Sequence, residues 1–131
     1  MTNIFSRYKF IFYLFNFVLI FLYLFPGSFL GCILYGDCKK QPQITPDFII
    51  STNHLYAFFL LSLLGFLTFK KKTRLKKLSI YLILLSIILE LFHYVIPDRS
   101  FEFPDLFGNF LGVIIVIIFG FFLKKYENFK N

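Results

Sequence analysis

Glu90, His93, Arg99 and Asp105 are ionisable residues in or beside long apolar runs. In such surroundings a charge is costly and is retained for pairing or for function. Residues three or four apart share a helical face, so Glu90, His93 and Tyr94 point together. A carboxylate beside an imidazole can move protons or hold a polar group. Glu90 stands seven residues before Pro97, about 10 Å below an expected helix end, and needs a partner at that depth. Arg99, looping back from beyond that helix end, has the fork of donors that bridges two carboxylates, which makes Glu90–Arg99–Asp105 the expected trio. His54, Asp105 and Asn109 bring further polar groups to the same end. Gly108 and Gly112 form a small-xxx-small pair that lets a neighbouring helix approach closely.

The elements that position these groups follow from composition. Of 131 residues, 58% are hydrophobic and 16% charged, against about 45–50% and about 25% in a soluble domain. This excludes a cytosolic enzyme, a nucleotide-binding α/β fold and a disordered tail, and points to an integral membrane protein. The abundance of Phe, 22 residues, carries no functional meaning by itself. Four apolar stretches predict an all-α membrane protein, a compact bundle of four transmembrane helices over approximately 8–30, 48–69, 78–96 and 104–123. The second is expected to reach back through Phe48, Ile49 and Ile50, and the fourth through Phe101 and Phe103.

Charge sets the expected orientation. Arg7 and Lys9 precede the first helix, Lys70, Lys71, Lys72, Arg74, Lys76 and Lys77 join the second to the third, and Lys124, Lys125 and Lys130 follow the fourth. Eleven of the 14 basic residues therefore fall on one side, leaving Lys39, Lys40 and Arg99 opposite. By the positive-inside rule both termini are cytoplasmic. The net charge of +7 then reads as a topology signal and a contact with anionic membrane lipid, not as a nucleic-acid site. The polar residues named above collect near the outer surface. Arg7, Lys9, the apolar run after them and Gly31-Cys32 also resemble a lipoprotein signal, but Phe29 and Leu30 fit such a site poorly, and an uncleaved first helix gives the even span count.

Cys32 and Cys38 share the expected outer loop, and their separation allows either a small disulfide ring or two free thiols. Asn16 and Asn109 read as interhelical hydrogen-bonding residues, Tyr94 as an interfacial aromatic, and Asp105 as a helix-start carboxylate after Pro104. His54, His93, Glu90 and Asp105 have metal-ligand chemistry, yet no two have a spacing such as HExxH, so no metal is expected. No phosphate loop, nucleophile elbow or dinucleotide fingerprint is present, and no cofactor is expected.

At the third and fourth helices the chain resembles the VanZ-like family of small membrane proteins. The family pattern has a Glu, then a Gln three on, a Pro seven on, an Arg nine on, an Asp fifteen on, an Asn nineteen on and a Gly twenty-two on. Here those positions read Glu90, His93, Pro97, Arg99, Asp105, Asn109 and Gly112. His54-Leu55-Tyr56-Ala57-Phe58-Phe59 is similar to the aromatic-rich start of the family's second helix. The Asp-Lys pair usual before that His is replaced by Ile50 and Ser51, and His93 replaces Gln with a titratable group that makes the cluster pH-sensitive. The resemblance implies one membrane domain over residues 1–131 in a bacterial cytoplasmic membrane. Through the family's namesake it implies resistance to the glycopeptide teicoplanin, without implying a biochemical activity.

Three functions stay open on these residues. One is a binding module for a lipid, a lipid-linked envelope precursor or an amphipathic antibiotic. Another is an intramembrane enzyme using Glu90, His93 and Asp105 on a lipid-linked substrate. The last is an accessory subunit whose polar cluster only orders helices. No oligomeric state is specified.

Overall fold

The computed structural model describes the backbone of residues 2–130 and the side chains of residues 7–130. Residues 1 and 131, the ends of the expected domain, lie outside the described residues. Among the described residues all regular structure is helical: α1 (Thr2–Leu24), the short α2 (Phe29–Tyr35), α3 (Thr52–Thr68), α4 (Lys72–Phe92) and α5 (Phe103–Lys130). The four long helices correspond to the four apolar stretches, with different ends. Pro26-Gly27 stops α1 at Leu24, well before residue 30. Phe48 and Ile49 are exposed outside any helix. The fourth helix continues past residue 123, because nothing in Lys124 to Lys130 breaks a helix.

Four helices of spanning character were expected, and two have it by length and composition. These are α1 from Arg7 to Leu24, and α5. The helix α3 is apolar but only 17 residues long. The helix α4 has 21 residues, but Lys72, Arg74, Lys76 and Lys77 in its first turns lower its hydropathy.

The most extensive pairing is α3 against α5, and α4 packs on α5 while α1 packs on α3. Each helix buries one face. On α3 this is His54, Phe58, Leu61, Ser62 and Gly65 at the three- and four-residue spacing of a helix stripe. Together with Leu19 and Tyr23 of α1, Leu82 and Leu89 of α4 and Val113 of α5, Phe58 and Leu61 form the core. The expected role of Gly108 and Gly112 holds, and the partner is α3. A Cβ on Gly108 would lie 2.5 Å from the Ser51 carbonyl oxygen, and one on Gly112 would lie 2.6 Å from that of Leu55. Asn16 acts as interhelical glue, accepting from Tyr81 Oη at 2.8 Å.

The two ends of the bundle differ in chemistry. At one end Thr68 Oγ1 donates to the Tyr8 carbonyl and Lys124 Nζ to that of Lys70, so the basic segments come together. At the other end the α1–α3 connection folds around α2. Ser28 caps α2 by accepting from Gly31 N at 3.0 Å, and Gly36 closes it in the left-handed conformation that glycine tolerates (φ 64). Of the two states open for the cysteines, the structure has the disulfide Cys32–Cys38, which ties α2 to the chain that follows. A ring of this size restrains the unfolded chain by about 2 kcal/mol. Replacing both cysteines by serine is therefore expected to destabilise the protein by up to that amount, measured as denaturant midpoints of the two proteins in the same micelles.

The start of α3 is held by a carboxylate outside the helix. Asp47 Oδ1 accepts from the Thr52 N–H at 2.9 Å, from Thr52 Oγ1 at 3.1 Å and from Gln43 Nε2 at 2.7 Å. The Thr52 N–H bond is the main cause holding the Asp47 carboxyl below its usual range. A carboxyl depressed in the folded state stabilises fully above its unfolded pKa, and the contribution disappears as pH falls through the folded value. Lowering the pH from about 5 to about 3 should therefore destabilise the native chain more than Asp47→Asn, as read from thermal midpoints.

Candidate functional site

At the end opposite Lys70 and Lys124, each long helix places one buried polar group at a common centre. Tyr23 lies in the last turn of α1, His54 in the first turn of α3, Glu90 in the last turn of α4 and Asn109 in the second turn of α5. Asn109 is the node. Its Oδ1 accepts from Tyr23 Oη at 2.5 Å and lies 3.0 Å from His54 Nδ1, while its Nδ2 donates to the Ser86 carbonyl of α4 at 3.2 Å. Tyr23 Oη is also 3.0 Å from His54 Nδ1. One amide thus joins all four long helices, and Asn109 and Glu90 are fully buried. Such a network fixes the helix register, because any slip orphans several buried groups at once.

His93 follows α4 and is buried. Its Nδ1 is 3.1 Å from Glu90 Oε1 and its Nε2 is 3.0 Å from the Tyr23 carbonyl oxygen. The Tyr23 ring stacks on His93 at 17° and meets His54 edge-on at 70°. His54 lies between two carboxylates, with Nδ1 3.8 Å from Glu90 Oε2 and Nε2 3.5 Å from Asp105 Oδ2. Glu90 Oε1 also accepts from Glu102 N at 3.3 Å, whereas Glu90 Oε2 is buried without a hydrogen-bond partner.

The expected Glu90–Arg99–Asp105 trio does not form. Arg99 turns instead to the end of α1, where Nη2 donates to the Leu22 carbonyl at 2.7 Å and Nε to that of Phe25 at 3.3 Å. Those carbonyls are free because Pro26-Gly27 ends the helix, and a cation there also complements the macrodipole. Asp98 at φ 57 makes the turn that directs Arg99 this way. Burial lowers the Arg99 pKa, but a guanidinium stays charged. The partner that Glu90 was expected to need at depth is thus an imidazole, and Glu90 lies close to the helix end, since α4 stops at Phe92 and not at Ile96. Tyr94 also leaves the cluster. It is 69% exposed and stacks on Phe101 with ring centroids 4.7 Å apart.

Of the expected site residues, the structure brings together His54, Glu90, His93, Asp105 and Asn109, and sets Arg99 at the rim. Tyr23 was missed, although a tyrosine one turn before Pro26, at the end where other polar residues collect, was a usable signal. The ligand atoms of His54, Glu90 and Asp105 lie within 4.8 Å of one another, a convergence from three helices that no sequence spacing encodes.

Two cavities open on the cluster, each of about 250 Å³. One is polar and lined by Asp47, His93, Asp98, Glu102 and Asp105 among others. The other is mainly apolar and lined by Leu22, Phe29, Ile44, Ala57 and Leu60 among others. Ser28, Gln41, Asn53, His54 and Arg99 border both, so a polar chamber and an apolar one meet at the His54 imidazole.

Comparison with protein-family models, with curated proteins and with solved structures finds no match.

Proposed function

We propose that this chain is a VanZ-like integral membrane protein that binds an amphiphile at the polar end of its bundle. The carrying observation is the pair of cavities that share His54 and Arg99. An amphiphile has one polar and one apolar part, and a site with a chamber for each selects both. The ligand class is a membrane lipid, a lipid-linked envelope precursor or an amphipathic antibiotic such as a glycopeptide, and protection against teicoplanin follows if the last is captured.

In this reading all four long helices cross a bacterial cytoplasmic membrane, with both termini and the basic end inside. Large side chains that face outward on α1 and α5, among them Phe10, Phe17, Ile118, Phe119 and Phe122, favour lipid over water. The 17 residues of α3 extend about 26 Å, and a modest local thinning of the bilayer accommodates that length. The lysines of α4 bury their stems and return their charges to the interface.

The test is native mass spectrometry of the untagged chain extracted in mild detergent. The native chain is expected to carry a copurified amphiphile, and Ala57→Phe, which fills the apolar chamber, is expected to lose it. Equal occupancy in the two proteins would overturn the proposal.

A second reading is favoured by the contact of Asp105 with His54 in the polar chamber, since a carboxylate that orients an imidazole is a proton-transfer pair. The same amphiphile would then be a substrate, and turnover by the purified protein, abolished in Asp105→Asn, separates the two readings.

A further inference from the structure

Glu90 and Asp105 pose a problem of charge. Glu90 is fully buried, and among the described residues neither carboxylate forms an ion pair with a lysine or arginine. Arg99, whose charge acts on both carboxylates from a distance, makes its hydrogen bonds to the α1 carbonyls. Among the described residues the groups of possible positive charge in contact with the two carboxylates are imidazoles, and a buried carboxylate without close compensation is strongly unfavourable. Glu90 Oε2 also faces His54 with no hydrogen-bond partner of its own.

We propose that His54, Glu90 and Asp105 hold one divalent transition-metal ion between α3, α4 and α5. One ligand atom from each residue lies within 4.8 Å of the other two. With bonds of about 2.0–2.2 Å, neighbouring ligands of a tetrahedral ion stand about 3.3–3.6 Å apart, so side-chain rotations that draw the three atoms together by about 1 Å close the set. An imidazole with two carboxylates suits Zn²⁺ or Mn²⁺ and does not suit the soft ions that need thiolates. A dication supplies the missing charge and gives Glu90 Oε2 a partner.

The surrounding groups fit supporting roles. Both nitrogens of His93 are engaged, by Glu90 Oε1 and the Tyr23 carbonyl, so His93 orients Glu90 and does not bind the ion. Asn109 and Tyr23 hold His54 at Nδ1, the outer-shell bonding that fixes a ligand imidazole. Three protein ligands leave coordination positions open, and His54 and Asp105 border the polar chamber, so a ligand oxygen there can reach the ion. The inference stands whether or not an amphiphile occupies the chambers.

The test uses the untagged full chain in detergent, stripped with chelator and then given Zn²⁺ alone or Mn²⁺ alone. Bound metal is counted by elemental analysis after gel filtration, with thermal midpoints alongside. His54 and His93 are the only histidines and both cysteines are in the disulfide, so competing soft sites are few. One ion per native chain is expected, and Glu127→Gln at the basic end should bind equally. Asp105→Asn, at the half-buried rim where folding is least at risk, should bind at least about tenfold more weakly. No retained ion of either kind at about 1 mM, or native-like binding by a folded Asp105→Asn, would overturn the proposal.

Discussion

Asn109→Leu is expected to destabilise the bundle by about 2–4 kcal/mol, although leucine is more apolar and has the same branching. The substitution removes the acceptor shared by Tyr23 Oη and His54 Nδ1 and the donor to the Ser86 carbonyl. Those partners sit on three different helices and are buried. An orphaned buried group costs about 1–3 kcal/mol in water-soluble proteins, while interhelical polar contacts in membrane bundles are worth about 0.6 to 1.7 kcal/mol each. The three losses together set the range. Thermal unfolding in micelles measures it, with Asn16→Leu as the reference. Asn16 makes one exposed bond, so its loss should cost under about 1 kcal/mol.

Gly112→Val should have an effect of similar size through a different cause. A Cβ at this position would meet the Leu55 carbonyl oxygen at 2.6 Å, Phe59 N at 2.8 Å and Phe58 Cβ at 3.2 Å. Two of these atoms are backbone and cannot swing aside, so α3 and α5 must separate along the bundle's most extensive contact. Overpacking of this kind costs about 1–3 kcal/mol and more when backbone has to shift. At Gly120 an added Cβ instead meets the ring of Phe66, the end of a side chain that can rotate. Gly120→Ala should therefore leave the unfolding midpoint nearly unchanged, and the contrast between the two glycines separates close helix approach from a general loss of glycine.

The parts of this architecture legible in the sequence were those set by short-range patterns. Apolar runs marked the four long helices, lysine clusters gathered at one end, and the small pair Gly108 and Gly112 marked a close helix contact. Helix spacing also gathered the polar residues at the opposite end. Spacing failed where a partner was chosen across a loop. Pairing Arg99 with Glu90 and Asp105 required α4 to run to Ile96, but it ends at Phe92, and the turn through Asp98 takes Arg99 to carbonyls that Pro26-Gly27 leaves free. The same early end takes Tyr94 away from Glu90 and His93. Tyr23 was overlooked for another reason: in a run as aromatic as Phe21 to Phe25 a single hydroxyl is marked only by its place one turn before Pro26, and the fold shows that it points at His54 and Asn109.

As a binding site, and not only a helix lock, the cluster around His54 must respond to a ligand. The most direct measurement is NMR of the chain labelled with ¹⁵N at histidine, which carries two imidazoles, His54 and His93. The label is followed as the copurified amphiphile is returned to delipidated protein in micelles. A saturable shift of the His54 resonances is expected in the native chain and none in Ala57→Phe, whose apolar chamber is filled. A His54 signal that stays fixed through the titration, or one that moves equally in both proteins, would contradict the binding role.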